Sequence, residues 1–370
     1  MISELKRYFN YFKKNLSGGL NFLILFTTSK CNLSCSACFF HDNLNKSNDL
    51  SLSEYKKIAQ SLKKTSILLL SGGEPFLNKD LVEICSSFIK NSKIDSLIIP
   101  TNGTLKKEII ENVGILLKNF PQTALTVNIS LDGMVDYHDK IRGARGVFEK
   151  AIETIKELSG LKKIYPNLQT VVNSVIQKNN LEELKKLMIF LRQFELDFHA
   201  FELLRGDPKD RSMVLPSHNQ IEEMHKLILK NRNWYLRRKN MKKFSFLGLL
   251  EKISVLGLLN YAQTTKEAVL KGGHWDVACR AGQSISVIYP NGDFSLCELM
   301  SPIANLRGVD YNLGQLLKSS RVQEKIKEVK EKKCDCTHVC FIHSSIASGP
   351  WAVFKIIYFY LKSLSILKND

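Results

Sequence analysis

Apolar positions over the first 205 residues fall into two alternating patterns. Short runs are apolar at nearly every position: LNFLILF, SILLLSG, SLIIPTNG, ALTVNISLDG, LQTVVNSVI and DFHAFELL. Between them lie longer stretches such as SLSEYKKIAQSLKK, KDLVEICSSFIKN, LKKEIIENVGILLKN and LEELKKLMIFLRQF, in which apolar residues return every three or four positions. The first pattern suits strands buried on both faces, and the second suits helices that cover them. Six alternations predict an α/β fold, an open (β/α)6 partial TIM-type barrel over residues 20–206. Turn residues fall at the strand ends: Gly72 and Gly73, Asn102 and Gly103, Asp132 and Gly133, Arg205 and Gly206. Parallel α/β folds gather ligands at the carboxyl ends of their strands, so these loops are expected on one common face.

Outside the barrel the pattern changes. Residues 1–19 read as an amphipathic helix, and 207–271 as a polar, basic helical bridge containing the apolar piece FSFLGLLEKISVLGLLNYA. Residues 272–345 form a small cysteine-rich domain with a hairpin turn at PNGD, and 346–370 are a second amphipathic helix. The 370 residues are 44% hydrophobic and 24% charged, proportions of a globular chain. No run of ~18 uninterrupted apolar residues occurs, so no spanning helix is expected. The amino terminus lacks a signal-peptide pattern, which points to the cytoplasm and to reduced thiols. The formal net charge of +17 comes mostly from lysines scattered along helix faces, a solvated pattern that argues against nucleic-acid binding. The densest basic run, KNRNWYLRRKNMKK, reads first as a solvated helix, then as a contact for anionic lipid or a leader peptide.

Nine cysteines change the picture. FTTSKCNLSCSACFF places Cys31, Cys35 and Cys38 just beyond the first strand. An odd number of thiols in a reducing compartment points to metal rather than to disulfides. Zinc would need a fourth ligand, for which His41 is within reach in sequence. A four-iron cluster held by three cysteines would leave one iron open to a chelating small molecule. The SGGEP turn after the second strand offers Gly72 and Gly73 for close backbone approach and Glu74 as an acceptor for an ammonium group. It is equally readable as a strand-to-helix turn. Asn173 and Glu202 end strands five and six and are open to either a rim or a ligand role, while His199 and Cys85 read as structural.

The C-x3-C-x2-C loop, followed in order by GGEP and by SLDG…HDKIRG, resembles the radical S-adenosylmethionine (radical SAM) superfamily. That resemblance implies a [4Fe–4S] cluster held by Cys31, Cys35 and Cys38, with SAM chelating the open iron. It also implies reductive cleavage of SAM to a 5′-deoxyadenosyl radical that abstracts hydrogen from a substrate. Gly72, Gly73 and Glu74 would contact the SAM amino group, Ser130 and Asp132 the ribose, and Arg142 a carboxylate. An electron donor such as flavodoxin or ferredoxin is implied as a partner. The superfamily's aromatic position before the third cysteine holds Ala37 here, and Phe39 and Phe40 follow instead.

The remaining cysteines are Cys279, Cys297, Cys334, Cys336 and Cys340, a set that suits one four-ligand iron–sulfur or zinc site. The C-x12-G-x4-C spacing of the first two resembles the SPASM and Twitch extensions of radical SAM enzymes. It implies a second, auxiliary [4Fe–4S] cluster on Cys279, Cys297 and two of Cys334, Cys336 and Cys340. The run CDCTHVC departs from the usual C-x2-C-x5-C spacing. Extensions of this kind imply a peptide substrate, as in a maturase. A small-molecule or lipid-linked substrate at a membrane surface is the alternative. A non-catalytic zinc or iron–sulfur scaffold is a third reading, against which the GGEP and SLDG loops argue.

Overall fold

The computed structural model describes residues 19–62, 64–240, 246–331, 334–349 and 351–368. The helix expected over 1–19 lies outside them apart from Gly19. All six expected strands form: β1 (Phe22–Phe26), β2 (Ile67–Ser71), β3 (Ser96–Thr101), β4 (Ala124–Ser130), β5 (Leu168–Ile176) and β6 (Phe198–Leu203). They pair in parallel in sequence order, with the helices α1 (Leu52–Ser61), α2 (Leu81–Ser92), α3 (Lys106–Asn119), α4 (Val135–Arg142), α5 (Val147–Ile164) and α6 (Leu181–Leu191) between them. Local sequence explains the helix starts. Ser51 caps α1 in a reciprocal box with Glu54, and the Ile58 and Ala59 side of that helix is buried. On β2, Leu68 and Leu70 are fully buried while Leu69 turns to the inner cavity beside Ile24 and Ile98. This alternation is that of a strand with helices outside and a cavity inside.

The cysteine-rich segment does not make a sheet of its own. Its strand β7 (Ile285–Ile288) pairs in parallel with β1, Phe22 opposite Ile285, and β8 (Asp293–Ser295) and β9 (Ala304–Asn305) add antiparallel. The result is one nine-stranded sheet in the order β6-β5-β4-β3-β2-β1-β7-β8-β9. Pairing β7 with β1 satisfies the backbone groups of an edge that an open barrel would leave bare, and it explains why every residue of β1 is buried. Periodicity cannot reveal this, because an apolar tetrapeptide such as ISVI carries no mark of its neighbour.

The expected bridge and tail helix also merge. Helices α7 (His218–Asn240) and α8 (Phe246–Leu270) pack with the carboxy-terminal α12 (Ala352–Lys368), after α9 (Leu313–Lys318), α10 (Ser320–Glu331) and α11 (Val339–Ala347). The approach of α8 and α12 is close at Gly257, where a Cβ would lie 2.2 Å from the Ile356 carbonyl oxygen. One turn on, Tyr261 stacks on Phe359 with ring centres 4.5 Å apart.

Candidate active site

The first cysteine loop is fixed by backbone contacts from three sides. Cys31 N–H donates to Asn45 Oδ1 at 3.0 Å, Ser36 N–H to the Ile141 carbonyl at the end of α4, and Asp210 N–H to the Ser36 carbonyl. Gly73 N–H and Glu74 N–H donate to the carbonyls of Thr28 and Lys30. A Cβ on Gly72 would stand 2.3 Å from the Thr28 oxygen, and one on Gly73 2.1 Å from the Lys30 oxygen. The two glycines are therefore required by the approach of the cysteine loop itself, whereas the sequence suggested the approach of a ligand. His41 turns its Nδ1 to the Cys38 carbonyl at 2.9 Å and Nε2 to Asp42, away from a role as fourth ligand.

Glu74 is buried, and its carboxylate accepts from Thr101 Oγ1 at 2.8 Å, Asn102 N–H at 2.7 Å and Phe76 N–H at 3.3 Å. Burial pushes its carboxyl up to about 7 despite these donors. Rather than a free acceptor for an ammonium group, it is the tie between the SGGEP and TNG loops. TNG, a weak signal in sequence, gains its role through this contact. Asp132 is likewise occupied: Oδ2 accepts from Arg142 Nη2 at 2.7 Å and Oδ1 from Val175 N–H at 2.9 Å. It holds Arg142, whose Nη1 lies 3.7 Å from Cys35 Sγ. Arg142 thus sits between a carboxylate and a cysteine sulfur, both inside the protein.

These groups line one cavity of about 250 Å3 with Cys31, Cys35, Cys38, Phe39, Phe40, Gly72, Gly73, Asn102, Ser130 and Asn173. Ser130 also lines it, and Asn173 donates to Glu202 at 3.4 Å. Buried polar atoms without a hydrogen-bond partner within the described residues border it: Asn128 Oδ1, Asn173 Oδ1 and Arg142 Nε. Such atoms are ready for a polar ligand. His199 remains structural, its Nε2 2.7 Å from Ser174 Oγ, and burial pushes it down to about 3.

Part of the cavity wall escaped the sequence reading. At the end of β6, Arg205 pairs with Glu202 and, at 3.1 Å, with Glu298, whose Oε2 is 2.5 Å from His338 Nε2. Burial alone would raise Glu298, but Arg205 and His338 hold its carboxyl down to about 2. Buried Lys266 of α8 lies in the same electrostatic neighbourhood; burial, against Glu202, pushes it down to about 8. Glu298 follows Cys297 and His338 stands inside CDCTHVC, so both were masked by their cysteines. A neighbouring cavity of about 490 Å3 shares Phe39, Phe40 and Glu298 with the first.

The second cysteine group divides. The Cys279 thiol donates to Cys334, which becomes the more acidic of the pair at about 7, and Cys336 and Cys297 lie close enough to feel the same charges. The Trp275 ring nitrogen donates to the Cys336 carbonyl at 2.9 Å and fixes this run on the 274–279 loop. Cys340, on α11, differs from the four in lining the main cavity, where Glu202, Glu298, Arg205 and Lys266 act on its charge. A local feature recurs through both cysteine groups. Cys31, Cys38, Cys279, Cys297 and Cys336 each accept a backbone N–H from the residue two positions on: Leu33, Phe40, Ala281, Leu299 and His338. Such donors favour the thiolate, yet burial still pushes Cys31 to about 11 and Cys336 to about 11. A thiol in that state keeps its proton until a metal binds the sulfur, when the proton is released to solvent. On Cys340 burial acts first, followed by the charges of Glu202, Glu298, Arg205 and Lys266. Among the described residues, no three His, Cys, Asp or Glu side chains converge as ligands of a single ion would. A cubane, whose thiolates bind different irons, asks for wider spacing.

Residues 25–191 match the radical SAM superfamily. The chain carries a radical SAM domain. With it come an enzymatic role, S-adenosylmethionine and a [4Fe–4S] cluster as cofactors. Over 230 residues the chain is 28% identical to Uncharacterized protein MJ0907 of Methanocaldococcus jannaschii, covering 61% of this chain and 76% of that one. It is 34% identical over 159 residues to the Antilisterial bacteriocin subtilosin biosynthesis protein AlbA of Bacillus subtilis, covering 42% of this chain and 33% of AlbA. The chain therefore spans only about a third of AlbA's length. In fold it is similar to SuiB of Streptococcus suis, solved bound to S-adenosylmethionine, with a TM-score of 0.59 at 16% identity over 88% of this chain and 72% of SuiB. Among the described residues no helix is long and apolar enough to cross a membrane.

Proposed function

We propose that this protein is a radical SAM enzyme that modifies a peptide, with the radical formed and used in the cavity between its two cysteine groups. The observation that carries this reading is the lining of that cavity. Cys31, Cys35 and Cys38 share it with the orphaned Asn128, Asn173 and Arg142 atoms, and with a Glu202–Arg205–Glu298–His338 wall built partly from the second cysteine segment. Cys31, Cys35 and Cys38 would hold the SAM-binding cluster, and Cys279, Cys297, Cys334 and Cys336 an auxiliary one. When bound and reduced, the first cluster with SAM supplies a 5′-deoxyadenosyl radical that takes hydrogen from the substrate.

The chain's own residues have separable tasks. Arg142, aimed at Cys35 by Asp132, places positive charge beside a sulfur that carries negative charge when metal-bound. Gly72 and Gly73 let the second loop close on the first, and Glu74 locks the third loop to them. Asn128, Ser130 and Asn173 offer acceptors suited to hydroxyl and ammonium groups of SAM. The peptide reading is supported by similarity to AlbA, which by its name serves bacteriocin biosynthesis, and by the adjoining cavity, which gives a substrate room beyond SAM. A flavodoxin- or ferredoxin-type donor in the cytoplasm would supply the electron.

The test is anaerobic reconstitution with iron and sulfide, metal counting, then dithionite and SAM with assay of 5′-deoxyadenosine. About eight irons per chain are expected, falling to about four in the Cys31→Ala, Cys35→Ala, Cys38→Ala variant. Nucleoside should form with the wild type alone. Bound zinc, or an iron centre that yields no 5′-deoxyadenosine under reduction, would replace this reading with that of a scaffold.

A further inference from the structure

Helix α12 buries Ala352, Ile356, Tyr360 and Ser363, and the described residues leave the other side of the helix without cover. That side is almost wholly apolar. Trp351, Phe354, Tyr358 and Leu361 are 64%, 68%, 51% and 58% exposed, with Val353 and Ile357 beside them. In the same helical layer, the first turn of α8 exposes Phe246 at 74%, with Leu247 and Leu249. Large apolar side chains grouped in this way mark an interaction surface.

Charge identifies the occupant. Helix α12 carries Lys355, Lys362 and Lys368 and no acidic residue. Lys355 is committed to Asp276 at 2.7 Å, but Lys362 lies over the exposed Tyr358 ring at 4.8 Å and so belongs to the apolar side. The second half of α7, which packs on α12, reads LILKNRNWYLRRKN, again without an acid. A second copy of the chain docking through this surface would set lysines against lysines, because a two-fold interface repeats the same patch on both sides. An anionic bilayer surface offers what the patch lacks: apolar depth for the Trp, Phe and Leu side chains, an interfacial level for Trp and Tyr, and negative headgroups for the lysines. At ~1.5 Å per residue, the 17 residues of α12 make a helix of roughly 25 Å.

We propose that α12 and the first turn of α8 dock this protein on membranes containing anionic phospholipid. The test is co-sedimentation of the iron-loaded full chain with phosphatidylcholine vesicles and with vesicles containing about 30% phosphatidylglycerol, at low and high salt. Binding at least ~10-fold tighter to the anionic vesicles, and weakened by salt, is expected. The Trp351→Ser, Phe354→Ser, Leu361→Ser variant changes only exposed positions. It should keep its circular dichroism and iron content and lose at least ~10-fold in vesicle binding. A Lys362→Glu, Lys368→Glu variant should lose the salt-sensitive part and keep the apolar face. Three results would overturn the proposal: no sedimentation with anionic vesicles, equal binding by the serine variant, or a wild-type dimer by light scattering that the serine variant turns into monomer. The last would assign the face to a second copy, and an acidic peptide that binds it while vesicles do not would assign it to a leader segment.

Discussion

Replacing Asp132 by Asn isolates the contact on which the position of Arg142 depends. The side chains of Asp132 and Arg142 are 4% and 13% exposed, so the pair is shielded from water on both sides. Asn keeps the shape and can still accept from Val175 N–H through its oxygen. Its amide group then meets the Arg142 guanidinium donor to donor, where Oδ2 now accepts at 2.7 Å. The guanidinium would be left buried with Cys35 Sγ as its remaining partner in the cavity, and with Nε already without one. Removing one member of a buried ion pair costs about 3–5 kcal/mol, so the midpoint of urea unfolding should fall by about 2 M at a slope of about 2 kcal/mol/M. The companion variant Arg142→Met removes the stranded charge. In the double variant most of the Asp132→Asn loss should disappear, giving a coupling of about 2–3 kcal/mol. The single variant should also lower the iron bound after reconstitution, because Cys35 loses the positive charge beside it. A loss below about 1 kcal/mol, or additive single and double variants, would refute the account of Asp132 as the residue that positions Arg142.

Gly73→Ala forces a methyl to within 2.1 Å of a backbone oxygen, which cannot swing away as a side chain would, so the cysteine loop must move. The expected cost is about 1–3 kcal/mol, with iron lost from the first site while the second keeps its own, read by metal analysis and cluster absorbance. Cys336→Ser should remove about one cluster's worth of iron, about four atoms, whereas Cys340→Ser should leave the count unchanged; equal losses would contradict the separation of the two thiols. Acid stability carries the mark of Glu54, which Arg307 at 2.7 Å holds down to about 2. A depressed carboxyl stabilises the fold above its unfolded value and loses that contribution as pH falls, here from about 4.5 toward 2. After allowance for solvent screening this amounts to about 1–2 kcal/mol. Glu54→Gln should remove that part of the acid transition and loosen the join between α1 and the loop after β9, and parallel acid curves for the two proteins would show the pair to be idle.

Local sequence determined a good deal of this protein. The near-continuous apolar runs specified six parallel strands, since only strands covered on both faces tolerate apolar residues at every position. Three cysteines in one loop pointed to a metal, and the resemblance of that loop and the GGEP and SLDG runs to the radical SAM superfamily pointed to a four-iron cluster. Tertiary structure decided the rest, for a consistent reason: each remaining feature depends on which distant segments meet. Glu74 and Asp132 looked like ligand acceptors, because a carboxylate at a strand end has the same sequence whether it faces solvent, a ligand or, as here, Thr101 and Arg142. The glycines of SGGEP were legible as a close approach, but not that the approaching group was the Lys30 carbonyl. Sequence offered Cys334, Cys336 and Cys340 as equals. The start of α11 distinguishes Cys340, since the N–H two residues on, that of Ile342, donates to the His338 carbonyl and is not left for the sulfur. Pairing of β7 with β1 likewise belongs to the fold as a whole, because the backbone groups that join two strands are the same in every sequence, and only packing selects the partner.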